Sequence, residues 1–169
     1  EIIGEEKAFK ISGVLPHSMY SVSKLLWIKK NHRELYDKAD KLLLVGEYIG
    51  YLLSGERVID YSLASRSGVF DIEKLEFSRE MLDALDIPFS LFSKPMRAGT
   101  PVGGIRKELK EELGIKGDPV LVLGSHDQIC TSLGAGIIEA GDSVDGMGTV
   151  ECITTLFTEK TDNIEMGRQ

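Results

Sequence analysis

Asp127 and Gln128 stand where an apolar run, Val120-Leu121-Val122-Leu123, breaks at Gly124-Ser125 and passes through His126 into a stretch of small residues with helical character. A carboxylate just past the carboxyl end of a strand occupies the position where open parallel sheets build their binding crevice. There it can take a proton from an attacking hydroxyl, and the neighbouring Gln128 amide can both donate to and accept from a polyol. Asp is also a favoured helix N-cap, so the residues alone leave Asp127 open between a base and a cap. Further on, Asp145-Gly146-Met147-Gly148-Thr149 combines two glycines, which allow close backbone approach to a ligand, with a terminal hydroxyl. Phosphoryl transfer to an alcohol needs a base for the hydroxyl and donors for the phosphoryl oxygens. Asp127-Gln128 can supply the first and Gly148-Thr149 the second. The glycine segment lacks the Gly-x-x-x-x-Gly-Lys-Ser/Thr order of a P-loop and is too short for a dinucleotide fingerprint, and a hairpin turn explains the same residues.

These groups must be carried by a scaffold of strands and helices. Val120 to Leu123 show no polar alternation, which predicts a short strand buried on both faces, with the helix behind it at Ile129 to Ala135. Upstream, Ser21 to Asn31 places Val22, Leu25, Leu26 and Ile28 at helical spacing, with Trp27 sealing the edge of that helix. Glu47 to Leu53 predicts a second helix, stopped by Ser54-Gly55. Ser78 opens another, with Met81, Leu82 and Leu85 on one face and Pro88 as its stop. Val102 to Ile105 reads as a short exposed strand or turn, and Arg106 to Leu113 as an amphipathic helix closed by Gly114. Asp142 to Thr149 reads as a loop and Val150 to Phe157 as an alternating strand. Strands interleaved with helices of this length indicate an α/β architecture.

Composition narrows the function class. The chain has 169 residues, a formal net charge of −7 and ordinary apolar (42%) and charged (28%) fractions. The acidic balance argues against a nucleic-acid partner. No apolar run is long enough to span a bilayer, and the start Glu1-Ile2-Ile3-Gly4-Glu5-Glu6 lacks the order of a signal peptide. The two cysteines, Cys130 and Cys152, form no Cys-x-x-Cys pair, which fits a cytoplasmic chain with reduced thiols. The opening on Glu1 and the close at Met166-Gly167-Arg168-Gln169, with no terminal helix to finish a layer, lead us to expect a piece of a longer protein.

The other polar candidates each carry a plain alternative. His126 adjoins Asp127, but neighbours at a strand end often point apart, so a satisfied or solvent-facing imidazole competes with a catalytic one. His17 and His32 lack metal-like spacing, and no metal site is expected. Cys130 reads as a small buried filler. Asp60, Ser62, Ser65, Arg66 and Ser67 crowd one loop that either binds an anion or sugar or satisfies itself through Asx and Ser hydrogen bonds. The run Arg106 to Glu112 is a solvated helix face.

In order along the chain, these segments resemble the FGGY carbohydrate kinases. Lys24-Leu25-Leu26-Trp27 is similar to that family's Lys-Leu-x-Trp helix, and Leu53-Ser54-Gly55-Glu56 to its Leu-Thr-Gly-Glu. Asp60-Tyr61-Ser62-Leu63-Ala64-Ser65 resembles Asp-x-Ser-x-Ala-Ser, Ala84-Leu85-Asp86-Ile87-Pro88 resembles Ala-Leu-Gly-Ile-Pro, and Gly99-Thr100-Pro101-Val102-Gly103 resembles Gly-Thr-x-Val-Gly. The most specific segment is Gly124-Ser125-His126-Asp127-Gln128, similar to Gly-Gly-Gly-Asp-Gln; Gly146-Met147-Gly148-Thr149 is similar to Ser-x-Gly-Thr.

The resemblance implies an actin-like, ribonuclease-H-like ATPase fold, present in part. Residues 1–140 would be the later part of the sugar-binding first domain, and residues 141–169 the first strands of the ATP-binding second domain. It further implies ATP-dependent phosphorylation of a sugar, sugar acid or polyol. Asp127 would be the general base, Gln128 and His126 would lie against the substrate, and Gly148 and Thr149 against the ATP phosphates, with Mg²⁺ neutralising phosphate charge. A homodimer is compatible with the family. The N-terminal Asp-x-Gly-Thr phosphate loop and the adenosine site of the family are not in this chain, which would leave it inactive alone, and a non-catalytic sugar-binding or regulatory module of the same fold is the alternative. Which sugar is used is not written in these residues.

Overall fold

The computed structural model of the chain describes residues 2–168. Its first half is built around one apolar core. Helices α1 (Glu5–Ser12), α2 (Ser21–Asn31), α3 (Arg33–Lys38) and α4 (Val45–Ser54) lead into strand β1 (Val58–Asp60) and the short helix α5 (Tyr61–Ser65). The hairpin β2 (Phe70–Asp71) and β3 (Glu76–Phe77), helix α6 (Arg79–Ala84) and strand β4 (Lys94–Met96) follow. β1 and β4 pair in parallel, with Ile59 opposite Pro95, and Phe70 pairs antiparallel with Phe77. Leu25, Ile59, Ala64, Phe70, Phe77, Leu82 and Phe92 are among the residues that close this core. Phe70 and Phe77 meet edge to face at 5.7 Å, and Phe77 lies 4.5 Å from Phe92, so each ring adds a preferred aromatic geometry to the roughly 1.5–3 kcal/mol of burial.

Helix ends follow the local signals. α2 spans the predicted residues, and α4 stops where Gly55 takes a left-handed φ of 83°, a conformation glycine adopts without penalty. Ser78 caps α6 by accepting from the Met81 amide at 3.3 Å. That helix ends at Ala84, ahead of Pro88, because Asp86 turns the chain with a φ of 51°. Trp27 departs from expectation: it is 58% exposed and tilts against His32 with ring centroids 5.1 Å apart. Its position on α2 faces away from the core that Leu25 enters, so it seals nothing.

Beyond β4 the packing changes. Strand β5 (Pro101–Gly104), helix α7 (Lys107–Leu113), strand β6 (Val120–Val122), helix α8 (Asp127–Gly134), the hairpin β7 (Ser143–Met147) and β8 (Glu151–Thr155), and the short helix α9 (Ile164–Gly167) bury little of their apolar surface. β6 pairs antiparallel with β5, and β7 pairs antiparallel with β8. Val120 and Val122 are exposed at 61% and 49%, so the predicted strand buried on both faces is, within the described residues, covered on one. An all-apolar strand is buried twice only where layers exist on both sides, and here Leu121 alone turns inward, towards α4. Asp142 to Thr149, read as a loop from its glycines and aspartates, contains β7: the ladder to β8 overrides weak strand propensity. The last described residues form α9 rather than following a strand directly, and Arg168 pairs with Glu5 at 2.9 Å.

Candidate active site

Asp127 is the first residue of α8, and the N-cap position belongs to His126, whose side chain makes no capping bond. The cap reading in its simple form therefore does not hold. The Asp127 carboxylate stands at the positive end of the helix, a favourable place for an anion, and is 90% exposed. Its Oδ1 accepts from the Gln128 amide at 2.8 Å and lies 3.3 Å from His126 Nδ1. That leaves Oδ2 directed to solvent as a proton acceptor. His126 is thus neither remote from Asp127 nor free: its ring touches the carboxylate and its backbone is tied elsewhere.

The loop before α8 is held from three sides. Leu123 bonds across to the strand-β5 approach, donating to Thr100 O at 3.0 Å and accepting from Gly99 N at 2.8 Å. The His126 amide donates to Ser62 Oγ at 2.8 Å, and Ser125 Oγ lies 2.8 Å from the same hydroxyl. Cys130 Sγ lies 3.7 Å from Ser125 O. Cys130 is an exposed free thiol rather than the buried filler expected from its size and type, because α8 turns that face outward.

The Asp60 loop resolves in favour of self-satisfaction. Asp60, 2% exposed, accepts on Oδ1 from the amides of Ser62 (2.9 Å) and Leu63 (3.2 Å) and from the Ser62 hydroxyl. Ser65 Oγ returns to Ser62 O at 2.7 Å, and Ser67 Oγ accepts from the Val69 amide at 3.2 Å. Arg66 lies over the Tyr20 ring at 5.1 Å. What reads in sequence as a polar loop is helix α5 with its cap. Its contact with the Asp127 loop joins residues 63 and 64 positions apart, so a single sequence holds no local signal of it.

Gly148 and Thr149 form the exposed tip of the β7–β8 hairpin. The Gly148 amide is used inside the turn, donating to Val150 O at 3.1 Å. The hairpin reaches α8 through Cys152, whose Sγ lies 3.8 Å from Gln128 Oε1. Gln128 and the phosphate-loop candidate are therefore on adjoining elements, while no hydrogen bond links Asp127 to Gly148 or Thr149 among the described residues.

Two cavities can be compared with this region, of which only the smaller adjoins it. The larger, about 590 Å³, lies between α1, the loop after it and α2, lined by Leu15, Tyr20, Val22, Leu26 and Val69 among others. It is mostly aliphatic and contains none of the predicted site residues. A smaller one of about 200 Å³ sits behind Gly124-Ser125, against Glu47, Asp60 and Leu121. Glu47 is 8% exposed; burial pushes its carboxyl above the ordinary range, against the Leu44 amide bonded at 2.7 Å to Oε2. Among the described residues no three His, Cys, Asp or Glu side chains gather as a metal site, and no helix is long and apolar enough to cross a membrane.

Residues 1–134 match the model of the N-terminal domain of the FGGY family of carbohydrate kinases. The chain belongs to that family. Among similar proteins, L-fuculokinase of Escherichia coli (strain K12) is 33% identical over 153 residues, 90% of this chain and 32% of the relative. Gluconokinase of Bacillus subtilis (strain 168) is 32% identical over 168 residues, 99% of this chain and 32% of the relative. The chain thus spans 32% of the length of either curated relative. The crystal structure of gluconate kinase from Lactobacillus acidophilus superposes with a TM-score of 0.82 at 28% identity, over 88% of this chain and 30% of that one. A carbohydrate kinase from Novosphingobium aromaticivorans gives 0.73 at 27% identity, over 92% and 34%. The FGGY chain accordingly has the actin-like, ribonuclease-H-like ATPase fold in part, as its motifs implied.

Proposed function

We propose that the intact protein transfers the γ-phosphoryl group of ATP to a hydroxyl of a sugar, sugar acid or polyol, with Asp127 as general base. The observation that carries this reading is the exposed Asp127 carboxylate at the start of α8, with one oxygen held by the Gln128 amide and the other free to solvent. In that role Oδ2 accepts the proton as the substrate oxygen bonds to the γ-phosphorus and the bond to the ADP oxygen breaks. Gln128 contributes an amide to the substrate hydroxyls, and His126 Nδ1, 3.3 Å from Oδ1, steadies the carboxylate from the other side. A polyol needs hydrogen-bonding partners, so the open polar face of Asp127, not the aliphatic 590 Å³ cavity, is the sugar side of the site.

The glycine tip of the β7–β8 hairpin suits phosphate oxygens in part. Its glycines leave room for close approach, and Thr149 offers a hydroxyl, but the Gly148 amide is already engaged. Thr149 is therefore the stronger of the two phosphate contacts. Mg²⁺, held by the ATP phosphates, would neutralise the charge on the transferring group. Residues 141–169 would then begin the ATP-binding second domain, a division supported by the match to the family's N-terminal domain, which ends at residue 134.

Sugar-dependent ADP release, measured on the intact protein against ketoses, aldoses, polyols and aldonic acids, tests the proposal. Asp127→Asn should lower kcat by about 10²–10⁴-fold while the fold survives. Turnover at the wild-type rate in that variant would sink the base assignment, and sugar binding without turnover in the wild type would favour a non-catalytic module.

A further inference from the structure

Ser62 sits between two things that the proposed chemistry needs: a buried anchor and the loop that carries Asp127. A serine hydroxyl has one proton to give and two lone pairs to offer. The Ser62 proton goes to Oδ1 of Asp60, a carboxylate that is 2% exposed and also accepts the Ser62 and Leu63 amides. One lone pair receives the His126 amide at 2.8 Å. Only the second lone pair remains for Ser125, 2.8 Å away, so the Ser125 hydroxyl must be the donor in that bond. Every capacity of Ser62 Oγ is then filled, and two of its three partners are the residues directly before Asp127.

The anchor beneath this hydroxyl is stiff. α5 contributes Ala64 to the core with no exposed surface, and Tyr61 lies 5.9 Å from the Phe70 ring. By contrast α8, which Asp127 begins, contributes only Ser132 as a buried residue. The hydrogen bonds that tie Ser125 and His126 to this well-packed half both run, among the described residues, to one side-chain oxygen, Ser62 Oγ. We infer that Ser62 is a positioning residue: held by Asp60, it fixes the Ser125–His126 peptide and thereby the place of the Asp127 carboxylate. Glycine at position 125 would lack the hydroxyl-to-hydroxyl bond, so part of this latch depends on the serine this chain carries there. The inference rests on the reading of Asp127 as the base.

The test uses the intact protein, with amide hydrogen exchange over residues 124–130 and steady-state ADP release measured side by side. In Ser62→Ala the His126 amide should exchange at least about tenfold faster, because its acceptor is gone. kcat should fall about tenfold to a hundredfold, with KM for sugar and for ATP changed less than about threefold, since misplacing a reacting group weakens the transition state more than the ground state. Ser62→Thr, which keeps the hydroxyl, should recover most of both effects, and Ser125→Ala, which removes one bond of the three, should show a smaller loss of the same kind. Unchanged exchange at His126, or unchanged kcat in Ser62→Ala, overturns the inference. So does a fall in kcat matched by a rise in KM and a lowered melting temperature that Ser62→Thr leaves uncorrected, the pattern of a merely structural residue. Asp127→Asn run alongside separates the two readings: wild-type turnover there removes the base assignment itself, and the exchange data still decide whether Ser62 holds the loop.

Discussion

Residues up to β4 and residues beyond it are built on different principles. The first part surrounds a sealed cluster of aromatic and aliphatic side chains, with Leu82, Ala64 and Val69 wholly buried. The second keeps its backbone hydrogen bonds largely in two antiparallel strand pairs and three helices but leaves Val120, Ile129, Leu133 and Ile153 in solvent. Backbone pairing alone gives a local shape; stability needs apolar surface removed from water. The proposed site residues Asp127, Gln128, Gly148 and Thr149 all lie in the second part, and Ser62, which bonds the two residues before Asp127, lies in the first. The groups proposed to react thus sit on the thinly packed half, and the loop before Asp127 is bonded to the core half at Ser62.

Core truncations should break the symmetry between the halves most strongly. Leu82→Ala, at a fully buried position, should cost about 2–5 kcal/mol in the 169-residue chain. Ile153→Ala, at a position 69% exposed, should cost less than about 1 kcal/mol. Urea unfolding of the two variants checks the pair, and equal losses would show that the hairpin packs on a surface of its own.

A smaller effect tests Glu47, a buried carboxylate whose pKa burial raises on balance. With its folded-state pKa raised, Glu47 holds a proton when folded that it has released when unfolded, in the window from the ordinary carboxylate value up to the raised one. Stability from this group is therefore full below that window and is lost as pH rises through it. Glu47→Gln, which can still accept from the Leu44 amide, should stabilise the protein by on the order of 1 kcal/mol at pH 7. The gain should shrink towards pH 4, and a melting-temperature series against pH that shows a constant or growing gain on acidification would contradict it. Asp71 behaves in the opposite sense: burial works to raise its pKa, but bonds from the Lys74 and Glu73 amides and the Lys74 ammonium outweigh it, so its contribution is lost on acidification.

The smallest expected change sharpens the account of helix ends. Asp86 holds a φ of 51°, where the related segment of the family carries glycine, and pairs with Lys29 at 2.8 Å. Asp86→Gly relieves backbone strain of about 1 kcal/mol and loses an exposed ion pair worth less. Lys29 keeps the carbonyls of Leu85 and residue 86. A gain of about 0.5 kcal/mol is expected on thermal unfolding, and a loss larger than that would mean that the ion pair, not the backbone, governs this turn.

The sequence by itself determined the local terms: the apolar spacing that makes α2, the glycine that ends α4, the serine that caps α6, and the ordered motifs that place the chain among the FGGY kinases. It also singled out Asp127, because a carboxylate after a broken apolar run is a feature of neighbouring residues. Only the tertiary structure decided that Trp27 faces solvent, that Val120 and Val122 are uncovered within the described residues, and that a glycine-rich loop is strand β7. It alone showed the Asp60 loop spending its hydrogen bonds on itself and lending one hydroxyl to residues more than sixty positions away. The physical reason is range. Helix periodicity, caps and turns are contacts within a few residues and are legible in one chain, whereas burial and long-range hydrogen bonds depend on which surfaces the folded chain brings together.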